Sequence, residues 1–346
     1  MACKASHSSL MAAPRLSLLA VDFDETLTTH DTTEAVLFES VLSEVIDPAQ
    51  RCRRRKIWDS LVNRYTAESK MWMKDILGRY RSEPLGSGSG GSSTVEHRHA
   101  IRTFAAELSA FEEKCVGRVA KSQVLAGVSR RTLRLHSERL GKGLMRRGAK
   151  EAMREARSVL GARVAVISIN WSEDVVRGVL HAAGCSRIID EVRCNDLDFR
   201  RRQRNMLESS LTEPEVDEVS TGSIHKVIGS ASGKLLAQRE ALLVAEAHSP
   251  CGGYSVFIGD SVTDLPSMVE ADIGIVVGVV SDSFYSVSEA FGITLKPIIQ
   301  LQRGDILLNT DKNRAPVIYS ASCWVEIQLA LRAVFPSVAS KPGLSS

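Results

Sequence analysis

Asp22 and Asp24 stand either side of one phenylalanine in the stretch Val21-Asp22-Phe23-Asp24-Glu25-Thr26-Leu27-Thr28. Two carboxylates at that spacing border one pocket only if the chain turns there. Each can then take a different job, one attacking while the other moves protons. Taken alone, the pair reads equally as a polar strand end before a Thr-rich turn. A second acidic pair, Asp260 and Asp264 in the run GDSVTD, lies far downstream. Between the two pairs come Ser168, at the end of an apolar run, and Lys234, directly after the Gly/Ser-rich residues 229–233. Acids that can hold a metal, with a hydroxyl and a lysine that can hold phosphate, form a coherent chemical set. A single Ser after a strand is also an ordinary helix cap, and Lys226 competes with Lys234 for the basic role.

The acids and the serine each follow a short apolar stretch: residues 16–21, 164–167 and 256–258. Runs of this kind leave no room for an amphipathic pattern and read as strands covered on both faces. In open parallel sheets ligands bind beyond the carboxyl ends of the strands, so the three ends converge on one site. Residues 172–180 read as a helix whose N-terminus favours an anion. Residues 149–160, 235–247 and 265–271 read as further helices, and 188–192, 273–277 and 293–295 as further strands. Residues 315–335 read as a strand and a helix, and the polar residues 200–220 as a surface excursion or hairpin. Strands alternating with helices give an α/β fold with a doubly wound parallel sheet.

From about residue 34 to 148 the pattern is helical. Val36, Leu37, Val41 and Val45 share helical spacings before Asp47-Pro48 interrupts them. Trp58, Leu61, Val62 and Tyr65 fall at i, i+3, i+4, i+7, and Trp72, Ile76 and Tyr80 continue at four-residue intervals. Phe104, Leu108 and Phe111 resume the pattern, as do residues 133–144. These aromatics are expected in the core rather than against a ligand. Residues 82–93 (SEPLGSGSGGSS) form a flexible linker by composition.

A chain of 346 residues with 44% hydrophobic content can bury a large core. The net charge is only +3, and the basic clusters at 51–56, 146–150 and 200–204 are separated by acids, which argues against nucleic acid as a partner. The seven cysteines form no C-x-x-C pair, and an odd number cannot all pair within one chain, as suits a reducing compartment. No apolar stretch approaches the ~18 residues that span a bilayer. The expectation is a soluble, cytoplasmic protein, with an organelle as the alternative because residues 1–15 are free of acids and contain Lys4, Arg15 and several Ser and Ala. Composition leaves the oligomeric state open.

The order D-x-D-x-T, strand-end Ser, Lys, then G-D-x-x-x-D resembles the haloacid dehalogenase-like (HAD) superfamily of phosphohydrolases over nearly the whole chain. Residues 259–278 (GDSVTDLPSMVEADIGIVVG), 168–171 (SINW), 220–222 (STG) and 319–327 (YSASCWVEI) are similar to the HAD domain of plant thiamin monophosphate phosphatases. There that domain follows a TenA-like helical domain. This chain starts almost directly at the first catalytic strand, so TenA activity is not expected of it. The resemblance implies a Rossmannoid core over residues 14–33 and 149–346, with a helical cap, residues 34–148, inserted between the first and second motifs.

It also implies roles. Asp22 would be the nucleophile forming an aspartyl phosphate, and Asp24 the general acid that later activates water. Mg2+, which takes oxygen ligands, would be held by the Asp22 carboxylate, the Asp24 backbone carbonyl and Asp260, with Asp264 either a ligand or a group behind the ligands. Ser168 would hold phosphate oxygens and Lys234 would supply positive charge. Thr26, Asp31, Asn170 and Trp171 would contact the substrate. Trp171 either stacks on a heteroaromatic ring or fills the seam between core and cap. Asp31 either complements a thiazolium charge or caps the first cap helix. The expected substrate is a small phosphate ester, thiamin monophosphate first. The alternatives are a nucleotide- or phosphoserine-type phosphatase and a non-catalytic binding protein on the same fold.

Overall fold

The run LSLLAV has no polar face to show to water, and all six of its residues are buried as strand β1 (Leu16–Val21). In the computed structural model, which describes residues 14–82, 94–201, 218–248, 252–310 and 314–335, β1 is the middle of a sheet. The further strands are β2 (Arg163–Ile167), β3 (Glu191–Arg193), β4 (Asp196–Arg201), β5 (Glu218–His225), β6 (Tyr254–Gly259), β7 (Ile273–Val277), β8 (Thr294–Pro297) and β9 (Val317–Ala321). Seven of them pair in the order β3-β2-β1-β6-β7-β9-β8, every pair parallel. β4 and β5 form a separate antiparallel ribbon. The chain leaves β1 toward β2 on one side and later returns to β6 on the other. The carboxyl end of β1 is therefore the switch point of the sheet, where open α/β sheets leave a crevice.

The helices are α1 (Glu39–Ser43), α2 (Pro48–Ser82), α3 (Thr94–Ser122), α4 (Arg130–Leu144), α5 (Ala149–Ser158), α6 (Glu173–Ala182), α7 (Ala231–Ala247), α8 (Leu265–Glu270), α9 (Asp282–Ala290), α10 (Arg303–Thr310) and α11 (Trp324–Val334). Alternation along the strands divides the core. Leu19, Val21, Val164, Val166, Val256 and Ile258 face one layer, which α5, α6 and α11 cover. Leu18, Ala20, Ala165, Ile167 and Phe257 face the other, with α7, α8 and α9.

The insertion between β1 and β2 is helical throughout its described part, apart from its turns. It begins with a π-helical turn, Thr33–Phe38, that runs into α1. Pro48 then opens α2, where its missing N–H costs nothing, and the two aromatic stretches at 58–65 and 72–80 lie on that single 35-residue helix. The insertion serves two cores. Ile76, Leu77, Ile101, Phe104 and Leu108 pack on the sheet, whereas Val36, Phe38, Trp58, Val119 and Leu133 form a third cluster with Val175 and Leu197. α4 crosses α6 closely enough that a Cβ at Gly178 would lie 2.5 Å from Ser137 Cβ, and one at Gly141 2.7 Å from Val179 Cα.

One expectation shifts, and two fall wholly or partly on residues outside those described. The linker at 82–93 falls outside the described residues except for Ser82, the last residue of α2. The strand expected at 188–192 is shorter and later. Ile188 and Ile189 donate their amides back to Cys185 rather than to β2, and Ile188 is buried in the core. The polar segment 200–220 begins in the last residues of β4 and ends in the first of β5, which pair antiparallel as a hairpin does, and its residues 202–217 lie outside those described. No helix among the described residues is long and apolar enough to cross a membrane.

Candidate active site

The turn that the Asp22–Asp24 spacing demands comes immediately after the pair. Leu27 and Thr28 donate their amides to the Phe23 carbonyl at 2.9 and 3.1 Å. Glu25 takes a left-handed backbone, φ 54°, which costs a non-glycine residue about 1–3 kcal/mol. Two distant side chains hold it there. Arg146 Nε donates to the Glu25 and Thr28 carbonyls at 3.0 Å, and the Trp324 indole donates to the Thr26 carbonyl at 2.9 Å.

Asp22 leaves the end of β1 and Asp260 the end of β6, while Lys234 reaches in from the first turn of α7. Lys234 Nζ lies 2.8 Å from Asp22 Oδ1 and 2.6 Å from Asp264 Oδ1, and its side chain is only 1% exposed. The Asp22 contact is an ion pair whose direction falls outside hydrogen-bond geometry, which leaves Asp22 Oδ1 without a hydrogen bond. Burial opposes the lysine's charge, but Asp22 and Asp264 outweigh it and raise its pKa above the ordinary value. Burial, then the Asp264 charge, push the Asp22 carboxyl well above the usual carboxylate range against the pull of Lys234.

Asp264 is fully buried. Its Oδ2 accepts from the Ser261 hydroxyl at 2.9 Å and from the Ser261 and Asp260 amides at 3.2 and 3.3 Å. Both of its oxygens are thus engaged by the protein. Gly259 makes room for it, since a Cβ there would come within 2.4 Å of Asp264 Cγ. Asp260 Oδ1 accepts from the Thr26 hydroxyl at 2.6 Å, while burial and then Asp264 push its carboxyl up to about 7. One oxygen each from Asp22, Asp260 and Asp264 lie within 4.8 Å of one another. An oxygen cluster this crowded, with a buried oxygen left unbonded and acids pushed toward their neutral forms, fits a hard divalent cation.

Asp24 is held by different partners. Its Oδ1 accepts from the Thr32 amide at 2.8 Å and the Thr32 hydroxyl at 2.7 Å, and its Oδ2 from Asn170 Nδ2 at 2.7 Å. Burial and the Asp31 charge push it up to about 6 against these bonds. Ser168, just past β2, accepts from the Asn170 amide at 3.1 Å. Ser172 caps α6 by accepting from the Val175 amide at 3.3 Å.

These groups open into a cavity of ≈ 410 Å³, within the range of small-molecule sites. Asp22, Asp24, Ser168, Lys234 and Asp260 line its floor, while Trp58, Tyr65, Glu112 and Val119 line the wall from the helical insertion and Trp171 from the loop after β2. Trp58 and Tyr65 were expected in the core. Trp58 is buried but also borders the cavity, and Tyr65 is 42% exposed, because the cavity opens along the face of α2 that carries both. Trp171 both packs on the third cluster and lines the cavity, edge-on to Trp58 with ring centroids 6.4 Å apart. Asp31 likewise does two things, accepting from the Thr33 amide at 2.7 Å ahead of the first helical turn and bordering the cavity. Thr26 stands apart from the other expected substrate contacts. It is fully buried, its hydroxyl is committed to Asp260, and it does not border the cavity. Of the two lysines, Lys226 is exposed at the cavity rim and Lys234 is at its base.

Sequence reasoning missed Thr32, Glu112 and Asn195. Asn195 Nδ2 donates to the Ile169 carbonyl at 3.0 Å, and its Oδ1 accepts from the Val227 and Ile228 amides at 2.9 and 2.8 Å. It thereby ties the loop after β2 to the approach to Lys234. What marks Asn195 is its burial beside a strand end, and burial is not visible in a sequence.

The sequence is similar to those of known proteins. The bifunctional TH2 protein, mitochondrial, of Arabidopsis thaliana is 25% identical over 326 residues, covering 88% of this chain and 48% of that protein. The chain therefore spans about half the length of that relative. A CTO1 family protein of Schizosaccharomyces pombe is 23% identical over 324 residues, covering 91% of this chain and 100% of that protein. Among solved structures, a phospho-aspartyl intermediate analogue of phosphoserine phosphatase shares 13% identity at a TM-score of 0.42, covering 91% of this chain and 98% of the other. Cytosolic 5'-nucleotidase IIIB bound to cytidine shares 12% at 0.46, covering 92% and 85%. The haloacid dehalogenase-like hydrolase family matches residues 19–268. That span runs from inside β1 to inside α8, takes in every strand end and the lysine described above, and exceeds half of the sequence, so the chain belongs to the haloacid dehalogenase-like hydrolase family.

Proposed function

We propose that this protein hydrolyses a small phosphate monoester, thiamin monophosphate in first place, through a phosphorylated Asp22. The observation that carries the reading is the difference between the two neighbouring acids. Asp22 faces Lys234 with one oxygen free of hydrogen bonds, whereas Asp24 is fixed by Thr32 and Asn170 and titrates near neutrality, at about 6. In the first half-reaction an Asp22 oxygen bonds to phosphorus, the ester P–O bond breaks, and protonated Asp24 gives its proton to the departing alcohol. In the second, the Asp24 carboxylate takes a proton from water, the water oxygen bonds to phosphorus, and the bond to Asp22 breaks. Lys234 and Ser168 orient and neutralise the phosphoryl oxygens.

Asp22, Asp260 and the Asp24 backbone carbonyl are the groups that would hold Mg2+, whose charge offsets that of the carboxylates and the phosphate dianion when it is bound. Asp264, with both oxygens already engaged, holds Lys234 and the 260–261 loop in place. We read the helical insertion, residues 34–148, as a cap domain over a core of residues 14–33 and 149–346. The thiamin assignment rests on the motif resemblance, with an aromatic wall of Trp58 and Trp171 suited to a heteroaromatic ring. A cytoplasmic location, with an organelle as the alternative, fits the free thiols of Cys52, Cys115, Cys185, Cys194 and Cys323.

Phosphate release from thiamin monophosphate, phosphoserine and cytidine monophosphate, with and without Mg2+, tests the reading. The expected result is the highest kcat/KM on thiamin monophosphate and none in Asp22→Asn. Turnover by that variant overturns the mechanism, and no turnover of thiamin monophosphate by the wild type overturns the substrate.

A further inference from the structure

Three residues that line the cavity carry a buried polar atom with no hydrogen-bond partner among the described residues. They are Asp22 through Oδ1, Trp58 through Nε1 and Glu112 through Oε2. Asp22 belongs to the chemistry already assigned; the Trp58 indole N–H and the Glu112 carboxyl have no part in it. Buried polar groups in folded proteins are almost always hydrogen-bonded, and each exception calls for a reason.

Glu112 is the sharper exception. It is 6% exposed and lies on α3 at helical spacing from Leu108, Cys115 and Val119, three buried apolar positions. A leucine at position 112 would continue that stripe without desolvating a carboxylate. Burial pushes the carboxyl up to about 7, and the two charges acting on it are Lys234, which opposes the shift, and Asp264, which adds to it. Glu112 therefore lies within electrostatic reach of the catalytic base of the cavity. The wall beside it is aromatic. Trp58 stacks on Phe38 with centroids 4.3 Å apart and meets Trp171 edge-on. Both residues line the cavity, so a flat group seated there that offers the reverse pair would complement the unused donor and the unused acceptor.

We propose that Glu112 and the Trp58 indole N–H recognise the alcohol portion of the substrate, and that this portion contains an amino-substituted nitrogen heterocycle. The amino group donates to the Glu112 carboxylate and a ring nitrogen accepts from Trp58 Nε1. The site extends the phosphomonoesterase reading above and rests on it for the placement of the phosphate.

Glu112→Gln and Trp58→Phe keep the shape of each side chain while changing its hydrogen bonding. Initial rates are measured on thiamin monophosphate, cytidine monophosphate and phenyl phosphate, the last lacking any nitrogen. For whichever heterocyclic ester the wild type turns over, Glu112→Gln is expected to lose on the order of ten- to a hundredfold more kcat/KM than on phenyl phosphate, chiefly through KM. Trp58→Phe should lose severalfold more, and the Glu112→Gln melting temperature should be no lower than that of the wild type. Equal losses on all three esters, or a loss that accompanies a lowered melting temperature, overturn the proposal. If cytidine monophosphate is turned over and thiamin monophosphate is not, the same differential supports the subsite while the thiamin assignment falls. If no ester is turned over, the phosphatase reading falls and equilibrium dialysis of thiamin and cytidine decides the subsite. Binding weakened by Glu112→Gln supports it, and absent or equal binding overturns it.

Discussion

Asn170 donates its side-chain amide to Asp24 Oδ2 at 2.7 Å, while its own oxygen accepts from the Ser172 amide at 3.0 Å. The acid-bearing loop after β1 is thus tied to the start of α6 through one side chain. Asn170→Ala cuts that tie without adding charge. The expected outcome is a fall in kcat on the order of tenfold or more, the scale of a lost charge-assisted hydrogen bond, with KM little changed. Steady-state kinetics separate the two. A risen KM with kcat intact would move Asn170 from positioning Asp24 to holding substrate.

Lys234 and Lys226 both border the cavity, but only Lys234 is buried between two acids. Lys234→Met leaves Asp22 and Asp264 uncompensated in the interior and should destabilise the fold by about 3–5 kcal/mol. Lys226→Met, at an exposed position, should leave denaturant midpoints within experimental scatter. Urea unfolding of both variants checks this. A Lys234→Met protein as stable as the wild type would mean that the buried pair is not formed in solution.

Adding Mg2+ should raise the melting temperature, because a cation bound only by the folded state stabilises it by mass action, about 2.7 kcal/mol at a hundred times Kd. Asp260→Ala should flatten that response. The readout is a thermal melt with and without chelator, independent of turnover. An unchanged response in Asp260→Ala removes that residue from the ligand set, and no response in the wild type argues against the metal altogether.

Burial raises the Glu112 carboxyl from 4.5 to about 7. Between those values the unfolded chain has released the proton and the folded chain retains it. The folded state then binds more protons, and stability falls as pH rises. Above about 7 both states are ionised and the penalty stays constant. Glu112→Gln does not titrate, so it should gain on the wild type across that window by on the order of 3 kcal/mol and then level off. Urea melts at half-unit pH steps give the curve. A flat difference would show that the carboxyl reaches water or a partner.

The parts of the site that come from strand ends were legible in the sequence because a covered parallel strand is a continuous apolar run, and such runs stop where the crevice begins. Asp22, Ser168 and Asp260 are of this kind. The turn at Glu25 was demanded by the spacing of two acids, but its supports, Arg146 and Trp324, arrive from far along the chain. The wall was not legible for a different reason. On α2 and α3 the same helical periodicity describes a side chain facing a core and one facing a cavity, so Trp58 and Tyr65 were read as packing. β3 was misplaced because Ile188 and Ile189 have the composition of a strand and the hydrogen bonds of a turn.

The order of the sheet has a consequence for how the molecule is made. Val21 pairs with Val166 on one side and with Ile258 on the other, so β1 leaves the ribosome long before the strand that covers its second edge. Until β6 has been synthesised, an apolar strand is exposed along an open edge, the geometry that invites pairing with a neighbouring chain. Pairings this distant in sequence also fold slowly. Nascent chains halted short of β6 should therefore be cut readily by protease near β1, and the yield of active protein should depend on how well that interval is guarded rather than on the stability of the finished fold.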